Sequence, residues 1–354
     1  MRLEHITLPG GVTVRDPNGD RYVIEGLLGK GMAGAVYLVR DRRMRHNLFA
    51  LKEVIDPSRQ DRARFTFEAQ VLKRLEHRAL PRVYRVFEHD KLRRVYMLMD
   101  YIQGQDLEVL RQEQAEQRFS LPLVLALLAP IVDALIYLHH QDPPIVHRDI
   151  KPANIIVPVG ADEAMLVDFG SAKEYVVDGV TTVIRHSTPG YAALEQYGGG
   201  TTPRTDIYGL GATFYTLLTG TIPTDAITRV SRSRSNGSDP LRLANLITPT
   251  VPTAVATAIQ HAMSISSEDR FATVEEFWQE LNAYAPRQRV QIPRVRSVDT
   301  PQPPPEQDIG STTTASLLIQ RYASLSMKHR ILLLLFLVSL ALLVIMILAI
   351  RLHL

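Results

Sequence analysis

The sequence predicts an α+β protein with a strand-rich first part and a helical second part, followed by a polar linker and one membrane-spanning helix. Strand patterns recur between Tyr22 and Met99, around one helical pattern at residues 61–76, and helical patterns recur at residues 121–140, 206–218, 252–264 and 273–284. A chain in which strands come first and helices later keeps them in separate layers or subdomains. Residues 331–350 form an apolar run whose only polar side chain is that of Ser339. Twenty helical residues span about 30 Å, the thickness of the hydrocarbon core of a bilayer.

The composition narrows the function classes before any motif is considered. Cysteine is absent from the sequence, which excludes a disulfide scaffold, a thiolate metal site and a thiol nucleophile. The formal net charge is +3, but residues 286–330 carry an excess of four positive charges and Arg351 adds another, so residues 1–285 have a net charge of about −2. This distribution gives no reason to predict a nucleic acid partner, and none is expected.

A glycine-rich segment lies between two predicted strands. It reads Leu28-Gly29-Lys30-Gly31-Met32-Ala33-Gly34-Ala35-Val36. A backbone without Cβ atoms can approach phosphate oxygens and point its N–H groups at them. A dinucleotide-binding fold would continue with a helix and an acidic residue about twenty positions on. Here a strand follows, and Lys52 comes twenty-three residues after Gly29. The segment therefore favours a hairpin that closes over phosphates.

Polar residues that suit phosphoryl transfer follow the apolar helical pattern of residues 121–140. They read His147-Arg148-Asp149-Ile150-Lys151-Pro152-Ala153-Asn154, and Asp168-Phe169-Gly170 comes after a short apolar run. Placing such groups beside a core helix is costly unless they face a charged ligand. Amide and carboxylate oxygens can hold Mg²⁺, and a further carboxylate can accept a proton. The pattern therefore indicates a site that handles phosphate groups.

In this order and spacing the motifs resemble those of the eukaryotic-like (Hanks-type) serine/threonine protein kinases of bacteria. Lys151-Pro152 inside the loop is similar to the serine/threonine branch of that family. The resemblance covers about residues 22–284 and implies the bilobal protein kinase fold, with a small β-rich N-lobe at about 22–102 and a larger helical C-lobe at about 103–285. It also implies ATP and Mg²⁺ as cofactors and protein substrates with serine or threonine acceptors.

The resemblance implies the catalytic and metal-binding residues. Asp149 would align and deprotonate the substrate hydroxyl, and Lys151 would offset charge on the transferring phosphoryl group. Thr188 would brace these two side chains. Asn154 and Asp168 would hold Mg²⁺.

The resemblance also implies the nucleotide pocket. Lys52 would orient the α- and β-phosphates and pair with Glu68, which lies on the apolar stripe of a helix predicted at residues 61–76 and needs a cation there. Met99 would guard the back of the pocket, and the backbone of Asp100 and Ile102 would bond the adenine edge. The full set is Leu28, Gly29, Lys30, Gly31, Met32, Ala33, Gly34, Ala35, Val36, Ala50, Lys52, Met99, Asp100 and Ile102.

The segment after Asp168 resembles a kinase activation segment. We expect autophosphorylation at Thr181 or Thr182, with Arg148 as the partner of the new phosphate. Glu195 is expected to pair with Arg270.

Three further elements of the helical part have sequence-based expectations. By the same resemblance, Asp206 would lie at the N-terminus of its helix and accept backbone N–H groups of the catalytic loop. A simple N-cap is the alternative, and both roles can hold. Residues 228–238 are rich in serine and arginine and are expected to form a solvated loop. Residues 121–140 are expected to be a core helix, which Pro130 would kink or begin.

The remaining segments predict how the folded part is anchored. Residues 1–21 are a polar lead-in, the kinase domain occupies 22–285, and 286–330 is a proline-rich linker expected to be disordered. Residues 331–350 are the expected transmembrane helix and 351–354 a short tail. Positive charges before the span predict that the kinase domain lies in the cytoplasm. The span is expected to act as a C-terminal tail anchor in the cell membrane. The lipid bilayer and a second copy of the chain, for autophosphorylation, are therefore expected partners.

Two other function classes remain open at this point. A membrane-anchored pseudokinase that binds nucleotide as a scaffold would be expected to lack one of the lysine, base or metal ligands, and all of these residue types are present. A small-molecule phosphotransferase would be expected to lack both the activation segment and the pattern of Glu195 with Arg270.

Overall fold

The computed structural model describes residues 7–284, except 31–33, 44–46, 56, 90–92, 161–162 and 176–187. The predicted linker, membrane span and tail lie outside the described residues. Within the described part, strands dominate up to Asp100 and helices dominate after it. The prediction of an α+β chain with a β-rich N-lobe and a helical C-lobe is confirmed.

The N-lobe is one antiparallel sheet with a single long helix, α1. The strand order is β1-β2-β3-β4-β6-β5, so β1 and β5 are the edges. Helix α1 begins with a capping box in which Ser58 and Asp61 satisfy each other's backbone N–H groups. The bounds are β1 Thr13–Arg15, β2 Arg21–Lys30, β3 Gly34–Asp41, β4 Leu48–Ile55, α1 Arg59–Arg74, β5 Val83–His89 and β6 Arg94–Asp100.

The two faces of this sheet belong to different hydrophobic cores. Side chains alternate along a strand, so Lys52 and its cross-strand neighbours Val36 and Met97 share one face, which we call the cleft face. Met97 belongs to a core that continues through the C-lobe. The opposite face, which we call the outer face, has a separate core that includes Tyr37 and Leu51.

The lead-in predicted at residues 1–21 contributes to the N-lobe. Strand β1 pairs with β2, and Val14 is buried in the outer-face core with Leu8 and Val12 packed against it. The sequence did not indicate this because β1 is only three residues long and lies between two turns.

The C-lobe is mostly helical, with two small sheets beside the catalytic loop. One sheet has the strand order β10-β9-β7 and the other pairs β11 with β8. Helix α5 is buried along nearly its whole length, and Gly220 ends it at a φ of 73°. The bounds are β7 Gly104–Asp106, α2 Leu107–Gln112, α3 Leu121–His139, β8 Ile145–Val146, β9 Ile155–Pro158, β10 Met165–Leu166, β11 Lys173–Glu174, α4 Glu195–Gly198, α5 Pro203–Thr219, α6 Ala226–Asn236, α7 Ala244–Ile247, α8 Thr253–Ala262 and α9 Val274–Asn282.

Helix α3 is a core helix, as the sequence predicts. Within the described residues, α3 is the helix that is both long enough and apolar enough to cross a membrane. Ten of its nineteen residues are buried against the rest of the C-lobe, which accounts for its apolar composition. Pro130 lies inside the helix, and the helix begins at Leu121, so the alternative that Pro130 marks its start is wrong.

The prediction of a solvated loop at residues 228–238 is wrong, because most of this segment is helix α6. Asp225 caps the helix by accepting the N–H of Thr228 at 2.9 Å. Arg229 is 1% exposed: its guanidinium pairs with Asp239 at 2.5 Å and donates to the carbonyl of Met263 at 2.7 Å. A buried arginine requires such partners. Because Asp239 and Met263 lie ten and more residues further along the chain, the local composition predicts a loop.

Candidate active site

Lys52 joins the two lobes at the cleft face of β4. Its Nζ lies 2.7 and 2.9 Å from the two carboxylate oxygens of Glu68 on α1, and 3.3 Å from Oδ1 of Asp168 in the C-lobe. Glu68 is only 3% exposed, and a buried carboxylate needs a cationic partner. We call Lys52, Glu68 and Asp168 the lysine cluster.

Lys52 and Asp168 stabilise each other's charged forms, whereas burial raises the pKa of Glu68. Burial acts to lower the pKa of Lys52, but the carboxylates of Glu68 and Asp168 outweigh it and raise the pKa above its ordinary value. Lys52 in turn lowers the pKa of Asp168 from 3.8 to about 2. At neutral pH the cluster therefore offers a cation for phosphate oxygens and a carboxylate for a metal ion.

Asp168 is held in an unusual backbone conformation. Its φ is 64°, in the left-handed region, and its Oδ1 accepts the N–H of Gly170 at 3.3 Å. The next residue, Phe169, is 1% exposed and packs edge-on against the ring of His147, with centroids 4.7 Å apart. Burial of Phe169 fixes the strained turn and directs the Asp168 carboxylate toward Lys52.

The catalytic loop forms a second group of contacts, which we call the loop cluster. Lys151 Nζ is 2.8 Å from both Asp149 Oδ2 and Thr188 Oγ1, and Thr188 Oγ1 donates to Asp149 Oδ1 at 3.1 Å. The amide nitrogen of Asn154 donates to the Asp149 carboxylate and carbonyl, each at 2.8 Å. These contacts hold the Asp149 carboxylate in one orientation while it stays partly exposed.

A buried carboxylate supports the loop from beneath. Asp206, 1% exposed in the first turn of α5, accepts the backbone N–H groups of His147 at 2.8 Å and Arg148 at 2.7 Å. The N-cap of α5 is Thr202, so the simple N-cap alternative for Asp206 is wrong. The loop is thereby anchored to the most deeply buried helix of the C-lobe.

Two supporting residues were missed at the sequence level. His139 Nε2 lies 2.9 Å from Asp206 Oδ2, and Gln196 donates to the carbonyl of Arg148 at 2.8 Å. The position of His139 at the end of the helix before the loop was an available signal. Gln196 carries no comparable signal, because it reaches the loop only through the fold.

The residues present fit a magnesium ion. The N–H of Val167 donates to the Asn154 carbonyl at 2.9 Å, which sets Asn154 beside the strand end that carries Asp168. In the described part of the chain, no group of three or more His, Cys, Asp or Glu side chains is arranged for a metal. A two-ligand site suits Mg²⁺, which is usually bound through one or two protein ligands together with substrate phosphates and water.

Comparison with known proteins is consistent with this geometry. A family model described as the protein kinase domain matches residues 22–299. The chain belongs to the protein kinase family. The serine/threonine-protein kinase PknL of Mycobacterium tuberculosis is 30% identical over 287 residues, which cover 77% of this chain and 69% of PknL. This relationship places the kinase among the serine/threonine protein kinases.

Other relatives extend the comparison. Serine/threonine-protein kinase D of Synechocystis sp. is 28% identical over 282 residues, 75% of this chain, and the match spans about half (52%) of that relative's length. The crystal structure of the Mycobacterium tuberculosis PknI kinase domain superposes with a TM-score of 0.60 at 27% identity. That superposition covers 79% of this chain and all of the PknI domain.

The nucleotide pocket of the kinase is described only in part. Gly31, Met32 and Ala33 lie outside the described residues, whereas Leu28, Gly29 and Lys30 end β2 and Gly34, Ala35 and Val36 begin β3. A Cβ at position 34 would lie 1.7 Å from the Glu53 carbonyl oxygen. Gly34 is therefore required by the close approach of β3 to β4, in addition to the predicted approach of its backbone to phosphate.

The residues that are expected at the adenine end of the pocket lie at and after the end of β6. Ala50 and Met99 are cross-strand partners, so they share one rung of the sheet there. The N–H of Asp100 donates to the carbonyl of Arg82 at 3.0 Å. Because this N–H is already paired, the carbonyl oxygen is the backbone atom of Asp100 that is left for the expected bond to adenine. Ile102 follows in an irregular segment.

The activation segment of the kinase is described at both ends. Thr181 and Thr182 lie outside the described residues. Beyond them, Arg270 forms a two-fold ion pair with Glu195, at 2.7 and 2.9 Å, as the sequence predicts. The arginine side chain is fully buried, so this pair fixes the end of the segment to the C-lobe core.

Proposed function

We propose that the kinase transfers the γ-phosphoryl group of ATP to serine and threonine hydroxyls of proteins, with Mg²⁺ as cofactor. The observation that carries this is the contact of Lys52 with both Glu68 and Asp168, beside a loop cluster in which Asp149 is oriented by three partners. Within the described residues, the lysine, the proton acceptor and the two candidate Mg²⁺ ligands of phosphoryl transfer therefore lie close together.

Each residue has one task in this reaction. Lys52, restrained by Glu68, binds phosphate oxygens, and Asp149 aligns the substrate hydroxyl and accepts its proton. Lys151 offsets the negative charge that develops on the transferring group. Asn154 and Asp168 would hold Mg²⁺, which neutralises phosphate charge.

A pseudokinase scaffold is the alternative from another function class. A scaffold has no need to keep a proton acceptor aligned, yet the Asp149 carboxylate accepts hydrogen bonds from Lys151, Asn154 and Thr188. The geometry therefore favours transfer.

The experiment is a transfer assay with γ-labelled ATP and dephosphorylated casein, using full-length protein in detergent from a host without other serine/threonine kinases. We expect label on serine and threonine with wild type and almost none with Asp149→Asn. Nucleotide binding without transfer by wild type would support the scaffold instead, and equal labelling by Asp149→Asn would contradict the role of Asp149.

The kinase is further proposed to activate itself by phosphorylating Thr181 or Thr182. The support is Arg148: its Nε donates to the Ser171 carbonyl at 2.6 Å, while Nη1 is buried without a hydrogen-bond partner among the described residues. Burial lowers the pKa of Arg148 to about 10, and its charge acts with burial to lower the pKa of Lys173. A phosphate would relieve this crowding of cations.

Mass spectrometry of active protein tests this proposal. We expect phosphate at residue 181 or 182, and we expect phosphatase treatment to lower the activity of wild type but not of the Thr181→Val, Thr182→Val double variant. Thr250→Val, at an exposed turn, is the matched control. Active protein without phosphate at either position contradicts the proposal.

The kinase is also proposed to be held at the cell membrane by residues 331–350, with its catalytic part in the cytoplasm. The apolar run and the basic residues Lys328 and Arg330 before it support this. Full-length protein is expected to stay in the membrane fraction after alkaline carbonate. Leu337→Arg combined with Leu343→Arg should release it, since each charge costs about 2.5–3.5 kcal/mol at the centre of a span. Release of wild type by carbonate would contradict the anchor.

A further inference from the structure

The outer face of the N-lobe sheet contains a buried carboxylate that the proposed reaction does not use. Glu53 follows Lys52 on β4, so it points away from the cleft, and it is 1% exposed. Arg94 donates to its Oε1 at 2.5 Å and the hydroxyl of Tyr37 donates to its Oε2 at 2.8 Å. A buried ion pair is weak evidence for stability alone, so its position next to Lys52 needs another explanation.

The chain before β1 closes this network. We call residues 7–20 the strap. The N–H of Leu8 donates to the Tyr37 hydroxyl oxygen at 3.0 Å, and that hydroxyl donates to Glu53. A continuous series of hydrogen bonds therefore runs from the strap backbone to the residue beside Lys52.

The far end of the strap is fixed at the opposite edge of the sheet. Arg85 on β5 pairs with Asp16 and, at 2.6 Å, with Asp20. Strands β1 and β5 are the two edges of the sheet, so these ion pairs join edges across the outer face. Phe87 of β5 stacks between Tyr22 of β2 and Tyr96 of β6, with centroids at 6.3 and 5.2 Å. The strap thus holds the sheet in one curvature.

We propose that the strap and Glu53 are positioning elements for Lys52: they hold β4 from its outer face so that the lysine reaches the nucleotide phosphates. Two carboxylates then restrain neighbouring residues of one strand, Glu68 from the cleft and Glu53 from behind. This inference rests on the proposed function, because it assumes that Lys52 binds phosphate.

The test compares two ligands that differ in phosphate. Mg·ADP and adenosine affinities are measured for full-length wild type, Tyr37→Phe and Glu53→Gln. Because Lys52 contacts phosphates and not the nucleoside, we expect Mg·ADP to bind about three- to tenfold more weakly to both variants, the effect of losing about one hydrogen bond. Adenosine affinity should stay within twofold.

Val39→Ala is the matched control, since it removes packing from the same outer-face core without touching the hydrogen bonds. It should lower the melting temperature but leave the ratio of the two affinities unchanged. Leu8→Pro removes the N–H that reaches Tyr37, whereas Leu8→Ala keeps it. We expect the ratio of Mg·ADP to adenosine affinity to change in Leu8→Pro and to stay unchanged in Leu8→Ala.

The outcomes separate the two proposals. An unchanged ratio of Mg·ADP to adenosine affinity in Tyr37→Phe overturns the positioning role. Because Tyr37→Phe removes a single hydroxyl, this variant decides the question if Glu53→Gln fails to fold. An equal change in Val39→Ala also overturns it. Wild type that binds Mg·ADP no more tightly than adenosine would instead overturn the phosphate role of Lys52, and the proposed function with it.

Discussion

The lysine cluster and the loop cluster lie side by side but are assembled differently. Three members of the loop cluster, Asp149, Lys151 and Asn154, fall within six residues of one loop that Asp206 holds against α5. The lysine cluster takes Lys52 from β4, Glu68 from α1 and Asp168 from the far lobe. The loop cluster is therefore built by local chain geometry and one buried anchor, whereas the lysine cluster exists only when two lobes and a helix are correctly placed.

This difference determines which displacements would break each cluster. A group held by its own loop remains oriented whenever the C-lobe is folded, which suits a proton acceptor that must be aligned. A cluster drawn from three elements can be broken by moving one of them, here α1 or the turn at Asp168, without unfolding the protein.

The largest effect should come from the loop cluster. Asp149→Asn is expected to lower kcat about 10²- to 10⁴-fold, the usual contribution of a positioned acid or base. The affinity for Mg·ADP should remain within twofold, because the lysine cluster is untouched. Steady-state kinetics and nucleotide titration check this pair of values, and a large loss of nucleotide affinity would show that the two clusters are not separable.

A smaller effect is expected at the lysine cluster. Glu68→Gln removes a charged partner of Lys52, and a hydrogen bond to a charged group is worth about 1.5–3 kcal/mol, which corresponds to roughly a 10- to 100-fold fall in kcat/KM for ATP. Most of the change should appear in KM.

The control for that variant is Glu88→Gln. Glu88 on β5 pairs with Arg62, which lies on α1 like Glu68. Both side chains of this pair are more than a third exposed, and such surface pairs contribute at most about 1 kcal/mol. We expect at most about a fivefold change in kcat/KM. Equal losses in Glu68→Gln and Glu88→Gln would show that the position of α1, and not the contact with Lys52, is what matters.

The hydroxyl of Thr188 should have a modest effect. It joins Lys151 to Asp149, and a single hydrogen bond is worth about 0.5–1.5 kcal/mol. Thr188→Val is therefore expected to lower kcat about three- to tenfold, while Thr188→Ser, which keeps the hydroxyl, should retain most of the activity. Similar rates for the valine and serine variants would mean that the hydroxyl does not orient the loop cluster.

The smallest effect concerns pH. The pKa of Asp168 is lowered from 3.8 to about 2, chiefly by Lys52. Because the folded pKa lies below the unfolded one, this group stabilises the fold above pH about 4 and loses that contribution as the pH falls toward 2. Denaturant unfolding of wild type and Asp168→Asn should differ most near pH 7 and converge in acid. A constant difference between the two would contradict the link to Lys52.

Local motifs were sufficient for much of the site. Asp149, Lys151 and Asn154 are fixed by spacing within one loop, and Glu68 was recognised because a carboxylate on an apolar stripe needs a cation. The sequence failed where partners are distant or the elements are short. The sequence predicts a loop where helix α6 forms, because the burial of Arg229 depends on Asp239 and Met263, and it predicts a polar lead-in where β1 forms.

By itself, then, the sequence determined the order of strands and helices and the kinase family, because each depends on the spacing of residues that lie close together in the chain. On the same basis it predicts the residues that would contact a nucleotide. Tertiary structure alone decided that Asp168 joins the predicted pair of Lys52 and Glu68, that Gly34 is needed by a neighbouring strand, and that Glu53 and the strap support β4 from its outer face. Those facts depend on which elements pack together, and contacts between segments that are distant in the chain produce no local sequence pattern.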